Sequence, residues 1–196
     1  FNTRMSSGIL YELDMRLRPS GNSGVLVGHI NTFEQYQQEE AWTWEHQALV
    51  RARIVYGNNV IEQRFSEIRQ QILSQTRSED KLQDDVSKMR EKMRNHLDKS
   101  TDELVDIKQF LAQYLVLANC HTHLSLSQRC DNLSIFKQLA HLEIITEQEQ
   151  HLLANCYQKL RGLGHKATLQ NEALLMNKDA VTEREQVMLV WRKFLP

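Results

Sequence analysis

Glycine and proline are scarce in this sequence, which has seven glycines and two prolines among 196 residues. Five of the seven glycines precede residue 60. Because both residue types interrupt regular secondary structure, their distribution predicts a short irregular N-terminal part followed by a long helical remainder.

Several other absences limit the function classes. Three cysteines, Cys120, Cys130 and Cys156, are too few and too unevenly spaced for a disulfide framework, which favours a reducing cytoplasm. The longest apolar run, residues 110–118, is too short to span a membrane. The net charge of −1 gives no reason to expect a nucleic-acid partner. The first residues carry no apolar core, so we expect no signal peptide in them. The chain opens on Phe1 without an initiator Met and reaches its first predicted strand within eight residues, so we expect a fragment of a longer protein.

Residues 9–24 carry the most informative pattern. Polar and apolar residues alternate strictly from residue 10 to residue 18, which predicts a β-strand with four charged side chains on one face: Glu12, Asp14, Arg16 and Arg18. Pro19 ends this strand, and a Gly/Ser-rich turn follows. A carboxylate that can hold Mg²⁺, beside arginines and a loop that can hold phosphates, indicates nucleotide chemistry. The alternative is an edge strand with a solvated charged face.

The next segments predict a second short strand at residues 25–30 and then helices. Trp42 and Trp44 are interpreted as core residues rather than as a platform for base stacking. Arg51 and Arg53 close a helical segment, where they either compensate the helix dipole or bind phosphate.

After a break at residues 57–59, apolar residues recur at helical spacing. They predict a bundle in which Gly162 and Gly164 end one helix. His121 and His123 are interpreted as exposed imidazoles at a helix end rather than as zinc ligands. The predicted helices cover residues 60–75, 82–97, 131–142, 146–163 and 182–195.

Residues 101–118 allow two interpretations. Thr101 can cap one continuous helix that runs to Ala118. Alternatively, residues 104–108 alternate as a short strand that places Asp106 and Lys108 on one face. Periodicity alone does not separate the two.

Several stretches resemble one family in the right order: YELDMRLRPSGNSG, EAWTWEHQALVRARIVYG, KMREKMRNHL, FLAQYLVLA and CDNLSIFKQLA. The resemblance is to the glutamate–ammonia-ligase (glutamine synthetase) adenylyltransferase family, and it covers most of the chain. That family has two related halves, each a nucleotidyltransferase domain followed by helices. The sequence EAWTWEHQALVRAR is similar to that of the C-terminal, adenylylating half.

The resemblance implies a function and a fold. The implied activity is Mg²⁺-dependent transfer of AMP from ATP to a tyrosine of glutamine synthetase in the cytoplasm, controlled by a PII signalling protein and by glutamine. The alternatives are the adenylyl-removing half, or a non-catalytic helical module that docks glutamine synthetase or the PII protein. The expected fold is α+β and predominantly α, with a partial nucleotidyltransferase-type mixed sheet packed on an α-helical bundle. Residues 1–57, with a return strand near 104–108, belong to the first domain, and residues 58–196 form the bundle.

The resemblance also assigns residues. Asp14 matches the third active-site carboxylate and metal ligand. The positions implied to hold the nucleotide are Arg16, Arg18, Ser20, Gly21, Ser23, Gly24, Glu45, Arg51, Arg53, Asp106 and Lys108.

The sequence departs from the family pattern in two places. A G-S-x-S-D-x-D motif with the other two carboxylates is absent, so we expect this chain alone to be inactive. About ten residues of the family pattern are also missing between Gln109 and Phe110, where we expect an intervening loop.

Overall fold

The computed structural model describes residues 24–96, 103–170 and 178–195. Within these ranges the chain forms eight α-helices and one 3₁₀ helix, and no strand. In chain order the elements are α1 (Ile30–Glu39), α2 (Thr43–Arg51), α3 (Asn59–Leu73), α4 (Glu79–His96), α5 (Glu103–Asn119), the 3₁₀ helix (Leu124–Gln128), α6 (Asn132–His141), α7 (Glu147–Gln170) and α8 (Lys178–Phe194).

The prediction of an α+β fold is therefore wrong, since the described part of the chain is all helical. Residues 25–29 are irregular rather than a strand, and Ile30 already begins α1. Val25, Leu26 and Val27 are 73%, 64% and 89% exposed, so no neighbouring element supplies the packing that favours a strand. The predicted strand at residues 10–18 lies outside the described residues.

The return strand predicted near residues 104–108 is also wrong, because these residues belong to α5. Gln109 and Phe110 are consecutive residues of this helix, and no loop intervenes between them. The sequence ELVDIKQFLAQYLVLAN contains neither glycine nor proline, so nothing in it interrupts helical hydrogen bonding. The alternative of one continuous helix is the correct one.

Helix α5 lies at the centre of the molecule and packs against α2, α4, α6, α7, α8 and the 3₁₀ helix. Every residue from 110 to 117 is buried, as expected for a helix that is apolar around its whole circumference. Leu49 and Val50 of α2 share the same buried core. The predicted domain boundary after residue 57 stays a prediction. Of the helices that the structure describes, none is long and apolar enough to cross a membrane.

Helix starts follow the capping signals in the sequence. Asp131, which the sequence predicts as a start, caps α6 by accepting a hydrogen bond from the Ser134 amide (2.9 Å). Thr146 and Glu149 form a capping box at the start of α7, with bonds of 2.7 and 3.1 Å. The predicted end at Gly162 and Gly164 is wrong, because α7 continues to Gln170. Glycine within a helix costs only about 1 kcal/mol, which tertiary packing can offset.

Arg69 of α3 connects three elements through its buried guanidinium. It donates to the carbonyl oxygens of Leu49 (Nε–O, 2.7 Å) and Val50 (Nη2–O, 2.6 Å) at the end of α2. It also donates to the carbonyl oxygens of Ser127 and Arg129 at the end of the 3₁₀ helix, the latter at 3.0 Å. The Leu49 carbonyl also accepts from the N–H of the C-cap residue Ala52 (3.2 Å). Carbonyls at helix ends lack the regular helical partners, and Arg69 supplies donors at both of these ends.

We predict that Arg69→Met lowers the free energy of unfolding by at least about 3 kcal/mol, because several buried acceptors lose their donors together. The measurement is urea unfolding of the 196-residue chain. Arg64→Met on the same helix is the matched control. Its guanidinium pairs with Glu34 but is 40% exposed, so its loss should cost less than about 1 kcal/mol. Equal losses in the two variants would contradict the role given to Arg69.

Candidate functional site

Of the N-terminal residues that the resemblance assigns, Gly24 is the one that the structure describes. Gly24 is the first described residue, in a bend before α1, and it is half-buried. The other residues lie outside the described part of the chain: Asp14, Arg16, Arg18, Ser20, Gly21 and Ser23. Their roles in metal and nucleotide binding stay predictions.

Glu45 lies in the first turn of α2, where its carboxylate joins two helices. Its Oε1 accepts a hydrogen bond from the Tyr36 hydroxyl of α1 (2.8 Å). Its Oε2 accepts one from the backbone N–H of Trp42 (2.9 Å), at the N-terminal end of α2. The negative charge also suits the positive end of the helix dipole. Glu45 thus has a structural role whether or not it also contacts a ligand.

Arg51 and Arg53 lie at the other end of α2. Arg51 follows Glu45 by six positions, which corresponds to about 9 Å along the helix axis. Arg51 is the last residue of α2 and is exposed. Arg53 lines a cavity of about 310 Å³ that also includes Arg69, Ser127 and Cys130, whereas Glu45 lines a different one. The structure therefore does not bring Glu45 and Arg53 into one cavity.

Asp106 and Lys108 both lie in α5. The strand interpretation placed them on one face, but two residues separated by two positions in a helix point in directions about 160° apart. The helix therefore removes the geometric reason for pairing these residues. The structure describes their backbone but not their side chains.

A groove of about 740 Å³ lies between the α1–α2 turn and α4. We call it the α2–α4 groove. Trp42, Trp44 and Met89 supply its larger apolar side chains, and α4 adds Lys81, Asp85, Lys88 and Lys92. The Thr43 hydroxyl donates to Asp85 Oδ2 (2.6 Å), which fixes the start of α2 against the middle of α4.

The sequence interpretation of Trp42 as a core residue is wrong, because its side chain is 71% exposed at this groove. Trp44 is half-buried. Three further residues of the groove were not predicted as site residues: Lys81, Asp85 and Lys88. A signal was available: positions 81, 85, 88 and 92 are separated by four, three and four residues, which places all four on one face of a helix.

Beside this groove, the buried His46 and the half-buried Arg77 form a polar chain. Arg77 donates to the carbonyl oxygen of Ile72 (2.7 Å), within the last turn of α3, and to that of Gln75 (2.9 Å), just beyond the helix. Its Nη2 also lies 3.4 Å from His46 Nδ1, and His46 Nε2 lies 3.0 Å from the Gln37 carbonyl oxygen. Since a carbonyl only accepts and a guanidinium only donates, the neutral imidazole with its proton on Nε2 fits both contacts.

The comparisons with known proteins identify the family. Residues 1–68 match the family model described as Glutamate-ammonia ligase adenylyltransferase. A protein from Psychromonas ingrahamii is 43% identical over the whole of this chain, and one from Shewanella oneidensis is 45% identical. The chain carries a domain of the glutamate–ammonia ligase adenylyltransferase family. Both relatives are named bifunctional glutamine synthetase adenylyltransferase/adenylyl-removing enzyme, and the chain spans 22% of the length of each.

We predict that the stability of the chain falls as the pH drops below about 6.5, and that His46 contributes to the fall. Burial of the imidazole, with the nearby Arg77 charge, holds the pKa of His46 below its ordinary value of 6.5. The unfolded chain therefore binds the proton more tightly than the folded chain. The stability is fully present above pH 6.5 and is lost as the pH falls through the lowered pKa.

The measurement is the urea midpoint between about pH 7.5 and pH 5. His46→Gln, which cannot take up the proton, should show a smaller decrease than the unaltered chain. His121→Gln is the control, because His121 is exposed in the turn after α5. The explanation fails if His46→Gln keeps the full pH dependence.

Proposed function

We propose that this chain is part of an enzyme that transfers AMP from ATP to a tyrosine hydroxyl of glutamine synthetase. The observation that carries the proposal is the identity of 43–45% over the whole chain to relatives with this activity in their names. The sequence DMRLRPSGNSG lies within the residues that match the family model. The sequence of α2 and its flanks supports assignment of this chain to the adenylylating half rather than to the removing half.

In the proposed reaction the tyrosine oxygen attacks the α-phosphorus of ATP. The bond from that phosphorus to the bridging β-phosphate oxygen breaks, pyrophosphate leaves, and the phenolic proton is released. A carboxylate near the hydroxyl can accept this proton as a general base. The chain itself contributes charge and position: Arg16 and Arg18 hold the phosphates, and the turn at residues 20–24 offers backbone amides to them.

Mg²⁺ belongs to the same proposal, with Asp14 as a ligand. When bound, the ion would supply positive charge that stabilises the transferred phosphate. The carboxylate of Asp14 is a hard oxygen donor, as Mg²⁺ prefers. In the described residues no group of three His, Cys, Asp or Glu side chains could hold a metal ion, so they offer no competing site. The printed sequence also lacks the G-S-x-S-D-x-D motif, which is why we expect the 196-residue chain alone to be inactive.

The remaining assigned residues have supporting positions in this proposal. Glu45 shapes the start of α2, while Arg51 and Arg53 add positive charge at its end. Control by a PII protein and by glutamine, which the resemblance implies, belongs to the same proposal. Cytoplasmic localisation follows from the same proposal.

We predict that Asp14→Asn in the full-length enzyme that contains this chain lowers kcat for AMP transfer by at least about 100-fold, because a metal ligand is lost. The measurement is incorporation of labelled AMP into glutamine synthetase. Asp80→Asn, which alters an exposed residue in the first turn of α4, is the matched control and should leave transfer unchanged.

The reverse direction is assayed in parallel, with phosphate as the acceptor that releases ADP from adenylylated glutamine synthetase. Full transfer activity in Asp14→Asn would refute the assignment of Asp14. An effect confined to the removing reaction would assign this chain to the removing half instead.

A further inference from the structure

Exposed apolar side chains are concentrated at one end of the layer that α1 and α3 form. The described residues contain eleven large hydrophobic side chains that are exposed, and seven of them lie at this end. We call these seven residues the α1–α3 patch. Exposed apolar side chains that cluster in this way mark a contact surface. Their exposed fractions range from 48% to 98%, and they are Val25, Leu26, Val27, Val55, Tyr56, Val60 and Ile61.

The packing of the first three helices brings the patch residues together. Helices α1 and α2 are joined by a short turn and run antiparallel. Helices α2 and α3 also run antiparallel, since the end of α2 binds Arg69 whereas its start lies against Arg77, which follows α3. Helices α1 and α3 are therefore parallel, and Phe33 packs against Phe65 with ring centroids 5.9 Å apart. Their first turns lie at the same end of the molecule, together with the irregular residues that precede each of them.

The segment that fits this patch is residues 10–18 of the same chain, which lie outside the described residues. The patch begins at Val25, and the seven steps from Arg18 to Val25 span at most about 25 Å, so the segment ends within reach of the patch. Its apolar residues alternate with charged ones and share one face of an extended chain. They are Tyr11, Leu13, Met15 and Leu17. Contact between this face and the patch removes both from water, which is favourable.

The charges of the segment determine which of its faces meets the patch. None of the seven patch residues is charged, so a carboxylate or guanidinium placed against them would lose water without gaining a partner. A contact through the apolar face avoids this cost. It also leaves the four charged side chains on the outer face of the segment: Glu12, Asp14, Arg16 and Arg18.

We propose that the α1–α3 patch is the surface that residues 10–18 cover, through Tyr11, Leu13, Met15 and Leu17. The contact is between side chains and needs no partner strand. It gives the helices a role in the reaction proposed above, because they support the segment from behind and direct Asp14 toward the side on which ATP and Mg²⁺ bind in that proposal. This role rests on the proposed function, whereas the contact itself does not.

The test is hydroxyl-radical footprinting of the 196-residue chain, in which mass spectrometry gives the oxidation rate of each side chain. Leu26, Tyr56 and Ile61 report on the patch. Leu13→Gln should raise their oxidation rates at least about threefold, because a polar side chain at this position weakens the contact that covers them. Glu12→Gln introduces the same side chain on the opposite face of the segment. It is the matched control and should leave these rates unchanged.

Two residues outside the patch separate loss of the contact from loss of the fold. Leu169 of α7 is 88% exposed, so its oxidation rate should be the same in every variant. Ile68 of α3 is fully buried, so it should stay unreactive unless the chain unfolds. A photoreactive benzophenone amino acid in place of Leu13 identifies the neighbour directly. Its cross-links should lie within one chain, in residues 25–30 or 54–62.

Three results would overturn the proposal. Patch oxidation rates that are the same in Leu13→Gln and in the unaltered chain would show that the segment does not cover the patch. Cross-links between two chains would assign the patch to a second copy of the protein. Fast oxidation of the patch in the 196-residue chain, with protection only in the full-length enzyme, would assign the patch to another part of that enzyme.

Asp14→Asn distinguishes a failure of this contact from a failure of the proposed function. If Asp14→Asn abolishes AMP transfer in the full-length enzyme while Leu13→Gln leaves the patch rates unchanged, the contact is refuted and the proposed function stands. If Leu13→Gln exposes the patch while Asp14→Asn transfers AMP normally, the contact stands and the role given to Asp14 is refuted.

Discussion

The described structure depends on one buried cation, Arg69, whose partners are backbone carbonyl oxygens. Helix ends leave carbonyls without partners, and a compact bundle of short helices buries many such ends. Arg69 supplies donors to the end of α2 and to the end of the 3₁₀ helix at once. Arg77 does the same at the end of α3. Two arginines thereby fix the helices around α5, and with them the position of α2, which carries the most distinctive part of the family pattern.

This arrangement determines what α2 presents at each end. Its C-terminal end is occupied by Arg69 and leaves Arg51 and Arg53 exposed. Its N-terminal end is fixed by Glu45 and by the bond from Thr43 to Asp85, and it leaves Trp42 at the α2–α4 groove. The motif that identifies the family is thus mainly a structural unit in the described part of the chain, with a ligand-sized groove beside its first turn.

The sequence predicted much of the helical part because its signals are local. Asp131 and the Thr146–Glu149 pair fix helix starts through side-chain bonds within one turn. The strands at residues 25–30 and 104–108 were predicted wrongly because a short apolar or alternating segment does not show whether a partner strand exists. Residues 104–108 alternate, yet they continue into an apolar run without glycine or proline, and tertiary burial around α5 favours a helix.

The candidate site was harder to predict than the fold. Burial of Trp42 was inferred from its residue type, although the neighbouring Trp44 occupies the more buried position. The spacing of the α4 lysines places them on one face of the helix, but it does not show that this face lies against the start of α2, about 40 residues earlier in the chain. Arg69 gave no sequence signal either, since an arginine on a predicted amphipathic helix is expected on its solvated face.

The most direct measurement of the central interaction is nuclear magnetic resonance of the Arg69 side chain in the unaltered protein. The account predicts an Nε–H proton that exchanges slowly with water and shows scalar coupling across a hydrogen bond to the Leu49 carbonyl carbon. An Nε–H proton that exchanges as fast as that of the exposed Arg53 would contradict it.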